Sequence, residues 1–198
     1  MNIKQAIEKH VNENNHVQLN NIDLDPESIK AIMINEVVPA DPANDFYGSE
    51  NAAYMETTIP LFQKAGITAD NIEDILDYGI YLTNAIKFPK SETTIDNDSI
   101  EKSLPYLERE LALFPNVQVI MLMGDVAKKC FNRITKKATK RNAVPAISTY
   151  KIRKTELYYQ NIRIMPSYIM TGKNILIEKS KVQMAAEDLA TMFEMISK

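Results

Sequence analysis

The clearest candidate for chemistry is a run of cations. From Val126 to Thr155 there is no acid, and there are ten bases, among them Lys128, Lys129, Arg133, Lys136, Lys151 and Lys154. Residues 1–125 carry 8 basic and 21 acidic side chains, whereas residues 126–198 carry 15 basic and 5 acidic. The formal net charge of −3 therefore hides a basic carboxy-terminal part. A block of that kind is suited to attracting phosphate, or it is a solvated helix face followed by a basic loop. An acidic total does not exclude nucleic acid, because the local field outweighs the sum.

Other reactive groups are few. The lone cysteine, Cys130, excludes an internal disulfide and a cysteine-ligated cluster within one chain. Its helical apolar position in GDVAKKCFNRI reads as core packing rather than as a reactive thiol. Histidines occur only at 10 and 16, so no histidine-rich metal site is expected. No P-loop, G-x-G-x-x-G, G-x-S-x-G or H-E-x-x-H motif is present to support a small-molecule enzyme of those kinds.

The elements that must position any site alternate. Residues 3–14 have Ile3, Ile7 and Val11 spaced as on a short amphipathic helix. Ile29–Ile34, Gly79–Thr83 and Val117–Met123 are short apolar runs with strand character, and Thr155–Met165 offers one or two more. Helices are expected over 50–65, 72–76, 99–114 (with a late start or kink at Pro105), 125–140 and 179–196. Continuously apolar strands alternating with helices predict a three-layer αβα sandwich around a mainly parallel four-stranded sheet, in one domain over 1–198. The length of 198 residues and the 45% hydrophobic and 25% charged content suit such a domain. No apolar run approaches the roughly 18 residues of a membrane span. The polar start is neither a secretory signal nor a transit peptide, so a cytoplasmic location is expected. Ligands of such sheets bind beyond the carboxyl ends of the strands. Three loops leave those ends: 36–49, 84–98 and 166–174.

These loops carry a resemblance. IMINEVVPADPANDFYGSENAAY (32–54), TNAIKFPKSE (83–92), LPYLERELALFPNVQVIMLMGDVAKKCF (104–131) and MPSYIMTGKN (165–174) resemble, in order and spacing, the motifs of family-4-type uracil-DNA glycosylases. The likeness covers roughly residues 30–195. It implies hydrolysis of the base–sugar bond of uracil or another damaged base in DNA, with the base flipped into a pocket. By the same resemblance, Phe46 stacks on the base, with Tyr47 as the neighbouring alternative. Asn84 reads the base edge, which an amide suits because it donates and accepts at once. Glu36 is the best aligned water-positioning carboxylate, with Asp41 and Asp45 as alternatives. Lys87, Ser167 and Lys173 are candidates for phosphate, and Tyr168, Ile169 and Met170 for a minor-groove wedge. DNA, single- or double-stranded, or a nucleobase-containing ligand is the implied partner.

Three departures accompany the likeness. Met165 stands where the family has a histidine that donates to the departing base; losing one such donor costs about 10²–10³ in rate. Neither His10 nor His16 is expected to reach the site. The family's glycine-acid-x-proline turn reads Asn35-Glu36-Val37-Val38-Pro39. One cysteine cannot supply the family-4 iron–sulfur cluster, so no cofactor and no metal are expected. A relative that binds a nucleobase or nucleic acid without cleaving it is the alternative.

Overall fold

The computed structural model describes residues 1–12, 16–91 and 93–198. The elements are α1 (Ile3–Glu8), β1 (Ala31–Val37), α2 (Ala53–Lys64), α3 (Ile72–Asp77), β2 (Ile80–Ile86), α4 (Asn97–Leu111) and β3 (Val119–Met123). They continue with α5 (Asp125–Thr139), α6 (Thr149–Ile152), β4 (Leu157–Tyr159), β5 (Ile162–Ser167), α7 (Asn174–Ile177) and α8 (Lys179–Ile196).

The sheet has the order β2-β1-β3-β5-β4. Four strands are parallel, and β4 pairs antiparallel to β5 at the edge. The sheet therefore has five strands, not the expected four, because Leu157–Tyr159 folds back on β5 as a hairpin. Residues 155–165 already held that hairpin, but three exposed or half-buried residues carry little apolar signal.

Both faces of the sheet are covered, which is why every residue of β2 and β3 is buried. Met33, Leu82, Met121 and Met165 face α2 and α8, and pack with Phe62, Leu189 and Met192. Ile34, Tyr81, Leu122 and Ile164 face α4 and α5, and pack with Leu107, Cys130 and Phe131.

Several boundaries move for reasons of pairing. β1 runs on to Val37 and β2 to Ile86, since Asn35 pairs with Asn84 and Val37 with Ile86. Asn84 is therefore inside a strand, not at its end. Pro166 and Ser167 extend β5 against β3. Proline is tolerated there because β4 stops at the level of Ile164, leaving β5 unpartnered on that side. Pro105 does not delay α4: Asp96 accepts from Ser99 N at 2.6 Å and starts the helix at Asn97. α1 ends at Glu8, short of the expected 14; residues 13–15 lie outside the described chain. Among the described residues no helix is long and apolar enough to cross a membrane.

Candidate functional site

Successive strand residues point to opposite faces. Asn35 and Asn84, level with each other on β1 and β2, therefore share the face of Met33 and Leu82. Both are buried. Asn35 Nδ2 donates to Asn84 Oδ1 at 2.8 Å, and Asn35 Oδ1 accepts from Thr171 Oγ1 at 3.1 Å. Asn84 Nδ2 donates to the Asp45 carboxylate, at 2.8 and 3.1 Å to its two oxygens. A chain of polar groups thus links two loops through the adjacent ends of β1 and β2.

The segment that delivers Asp45 is held by its own side chains. Asp41 Oδ1 accepts from Ala43 N at 3.0 Å and opens a turn of 3-10 helix over Pro42–Asn44. Gly48 lies so close to that turn that a Cβ would sit 2.1 Å from Pro42 O. Phe46 N donates to Asp45 Oδ1 at 2.9 Å, which sets the carboxylate toward Asn84. Burial raises the Asp45 pKa above its ordinary value, against the opposing pull of the Asn84 and Phe46 hydrogen bonds. Phe46 is wholly buried, its ring 5.4 Å from that of Tyr54 at an interplanar angle of 56°. A flipped base could stack on it only after the 38–52 segment shifts.

Glu36 points the other way, toward α5. Its Oε2 accepts from Val126 N at 2.7 Å, at the start of that helix. Burial raises its pKa, outweighing the lowering by the Val126 amide. Glu36 and Asn84 therefore lie on opposite faces of the sheet. The carboxylate brought to the amide is Asp45, the alternative, rather than Glu36. Asp41 is exposed and serves as a cap.

Gly124, between β3 and α5, has φ +97°, and a Cβ there would meet Glu36 Oε2 and Ile169 Cγ1, both at 2.7 Å. Gly124→Ala is expected to destabilise the fold by more than about 1 kcal/mol and to push Glu36 off the Val126 amide. Thermal unfolding measures the loss, and a Tm equal to the parent's would refute the account.

The other candidates are placed as follows. Lys87, a candidate for phosphate by the resemblance, is only 2% exposed. Its ammonium pairs with the Glu110 carboxylate and donates to Thr83 Oγ1 at 2.8 Å. Tyr81 Oη and Thr83 Oγ1 donate to Glu110 Oε1 at 2.6 and 2.9 Å. A charge with this many buried partners stays inside. Ser167 is also buried, donating to Asp188 Oδ2 at 2.6 Å; Asp188 in turn pairs with Arg153 at 2.8 Å. That commitment corrects its assignment to phosphate.

Tyr47 packs around the open edge of β2. Its hydroxyl accepts from Leu82 N at 2.9 Å, and its ring stacks on Tyr81 at 5.8 Å, away from Asn84. Tyr168 is half-buried, with the Lys181 ammonium 5.8 Å from its ring centre. Together with Glu36, Gly124 and Thr171 it lines a cleft of ≈ 680 Å³. Lys173 is exposed. Met165 is buried in the core beneath α8 and offers no donor. His10 is exposed just beyond α1, which packs on the α4 side, opposite the Phe46–Asn84 face.

Sequence reasoning missed the roles of Asn35, Thr171 and Glu110. Only the register of β1 against β2 sets Asn35 beside Asn84. Cys130 is buried, and burial pushes its thiol pKa up to about 12. Among the described residues no group of three or more His, Cys, Asp and Glu side chains is arranged to hold a metal ion.

A mainly parallel sheet covered on both faces, with the Asp45–Asn84 contact at the carboxyl ends of adjacent strands, defines an α/β protein of the class in which ligands bind at the strand ends. The sequence pattern of the uracil DNA glycosylase superfamily matches residues 36–189, and the chain belongs to that superfamily. A solved structure, the wild-type UNG of Nitratifractor salsuginis, is similar at 13% identity and a TM-score of 0.42. That alignment covers 84% of this chain and 75% of the other. No curated protein matches the chain.

Proposed function

We propose that the protein is a uracil-DNA glycosylase-like hydrolase, cytoplasmic, that slowly cleaves the base–sugar bond of uracil or another damaged base in DNA. The observation that carries this reading is the contact between Asp45 and Asn84 beside Phe46. It brings together a group to read a base, a ring to stack on it and a carboxylate to orient water.

In the resting arrangement the carboxylate occupies the donor side of Asn84. An entering base would take that donor, and Asp45 would turn to hold a water molecule against C1′ of the sugar. The water oxygen bonds to C1′ as the C–N bond breaks, its electron pair leaves with the base, and Asp45 accepts the proton. Superfamily membership supports the reaction class. Glu36, on the opposite face, is not needed for it. No side chain at Met165 stabilises the charge on the leaving base, so the rate is about 10²–10³ below that of a site with such a donor.

The test is release of uracil from single- and double-stranded oligonucleotides, with abasic sites revealed by alkali. Slow cleavage by the parent and none by Asn84→Ala is the expected result. Intact oligonucleotide with the parent, across uracil and other deaminated bases, would sink the hydrolase. It would favour a second reading, a relative that binds without cleaving. Met165 supports that reading, as does the internal satisfaction of both polar ends of Asn84.

A further inference from the structure

The acid-free block left open whether its cations are merely solvated. On α5, one side is neutralised by α4: Arg133 pairs with Glu101, and Lys137 with Glu108 at 3.4 Å. Lys128 is spent on Asp125 at 2.8 Å and on Ile147 O at 3.1 Å. Lys129 and Lys136 are exposed and form no ion pair among the described residues; Lys129 only donates to Asn97 Oδ1 at 3.3 Å. Both line a groove of ≈ 650 Å³ between α5 and the 142–148 segment.

The far wall of that groove is fixed. Asn132 Nδ2 donates to Val144 O at 2.8 Å, and Asn132 Oδ1 accepts from Val144 N at 2.9 Å. The wall also leaves apolar surface in water: Ile147 is 48% exposed, and Tyr150, just beyond it, 71%. Asp125 and Ser148 line both this groove and the Glu36–Tyr168 cleft, so the two are continuous.

We propose that this groove binds a single-stranded segment of nucleic acid, its phosphates on Lys129 and Lys136 and an unpaired base on Tyr150, and leads the strand toward the Glu36–Tyr168 cleft. Unneutralised cations along a groove with an exposed ring just beyond its wall are what a strand with unpaired bases requires, since each base has a face to stack. A duplex, its bases already stacked, would leave Tyr150 unused. The proposal deepens the reading that the protein acts on DNA, but its test measures binding alone.

A labelled oligothymidylate without uracil is titrated with the full-length chain at several salt concentrations, and anisotropy is read. Lys129→Gln/Lys136→Gln is expected to weaken binding and to reduce the salt slope by about 1.4, at about 0.7 per phosphate contact. Tyr150→Ala is expected to bind about tenfold more weakly. Lys4→Gln/Lys64→Gln, the same loss of charge on other surfaces, leaves the slope as in the parent. Thermal unfolding confirms that each variant is folded. The proposal is overturned if the parent does not bind the oligonucleotide at low salt. It is also overturned if the groove variants bind like the parent, or if duplex or anionic vesicles are bound in preference. Strand binding without uracil release leaves the groove standing and removes the hydrolase.

Discussion

Asp45→Asn is expected to lower uracil release by about 10²–10⁴, the range of a positioned acid–base group. Asparagine can still accept from Asn84 and Phe46 but cannot take the proton of the attacking water. Loss of rate with an intact fold would therefore locate the carboxylate's role in the chemistry. Stability is expected to move the other way. Burial raises the Asp45 pKa, so the folded protein holds this proton more tightly than the unfolded chain. Its contribution to stability is full below the unfolded pKa and is lost as pH rises through the folded one. Asp45→Asn removes that penalty. Relative to the parent, the variant should gain stability as pH is raised from acid to neutral. Denaturant titration over that span checks the sign. A gap that narrows with rising pH, or cleavage at the parental rate, would remove Asp45 from the site. The stability gained where function is lost would be the usual trade at an active site.

The second large effect concerns the buried pair behind β2. Glu110→Ala would leave the Lys87 ammonium in the interior with Thr83 alone, and Tyr81 and Thr83 without their acceptor. Removing one partner of a buried pair costs about 3–5 kcal/mol. For a domain of this size that corresponds to a fall in Tm of roughly 6–20 °C. Lys87→Met with Glu110→Leu, which removes both charges, should recover most of the loss. A single variant that melts within a degree or two of the parent would mean that Lys87 reaches solvent after all. The pair sits where β2 leaves the sheet and Lys87 N donates to Ser103 Oγ at 2.9 Å, so it also fixes the start of the loop after Asn84.

Much of the architecture was legible in the sequence because it depends on local apolar pattern. The short apolar runs Gly79–Thr83 and Val117–Met123 read as strands buried on both faces, and Lys179–Ile196 has the spacing of a helix laid on a sheet. The order of motifs from residue 32 to residue 174 was likewise enough to point to the superfamily. Strand β4 was less legible, because three residues at an edge gain their identity from pairing rather than from burial.

The site was legible in residue type but not in direction. Glu36 and Asp45 are both carboxylates in one loop region of the sequence. Which of them meets Asn84 depends on β1 continuing past Ile34, which turns Glu36 to the α5 face, and on the 3-10 turn that swings Asp45 back over Asn84. Lys87 and Ser167 read as candidates for phosphate until α4 places Glu110 against the one and α8 brings Asp188 to the other. The sequence by itself determined the class of fold, the family and the absence of a donor at Met165, because these follow from local pattern and side-chain chemistry. The tertiary structure alone decided which polar groups are satisfied inside the protein and which remain for a ligand. That outcome depends on partners distant in sequence, brought within 3 Å only by the packing of helices on the sheet.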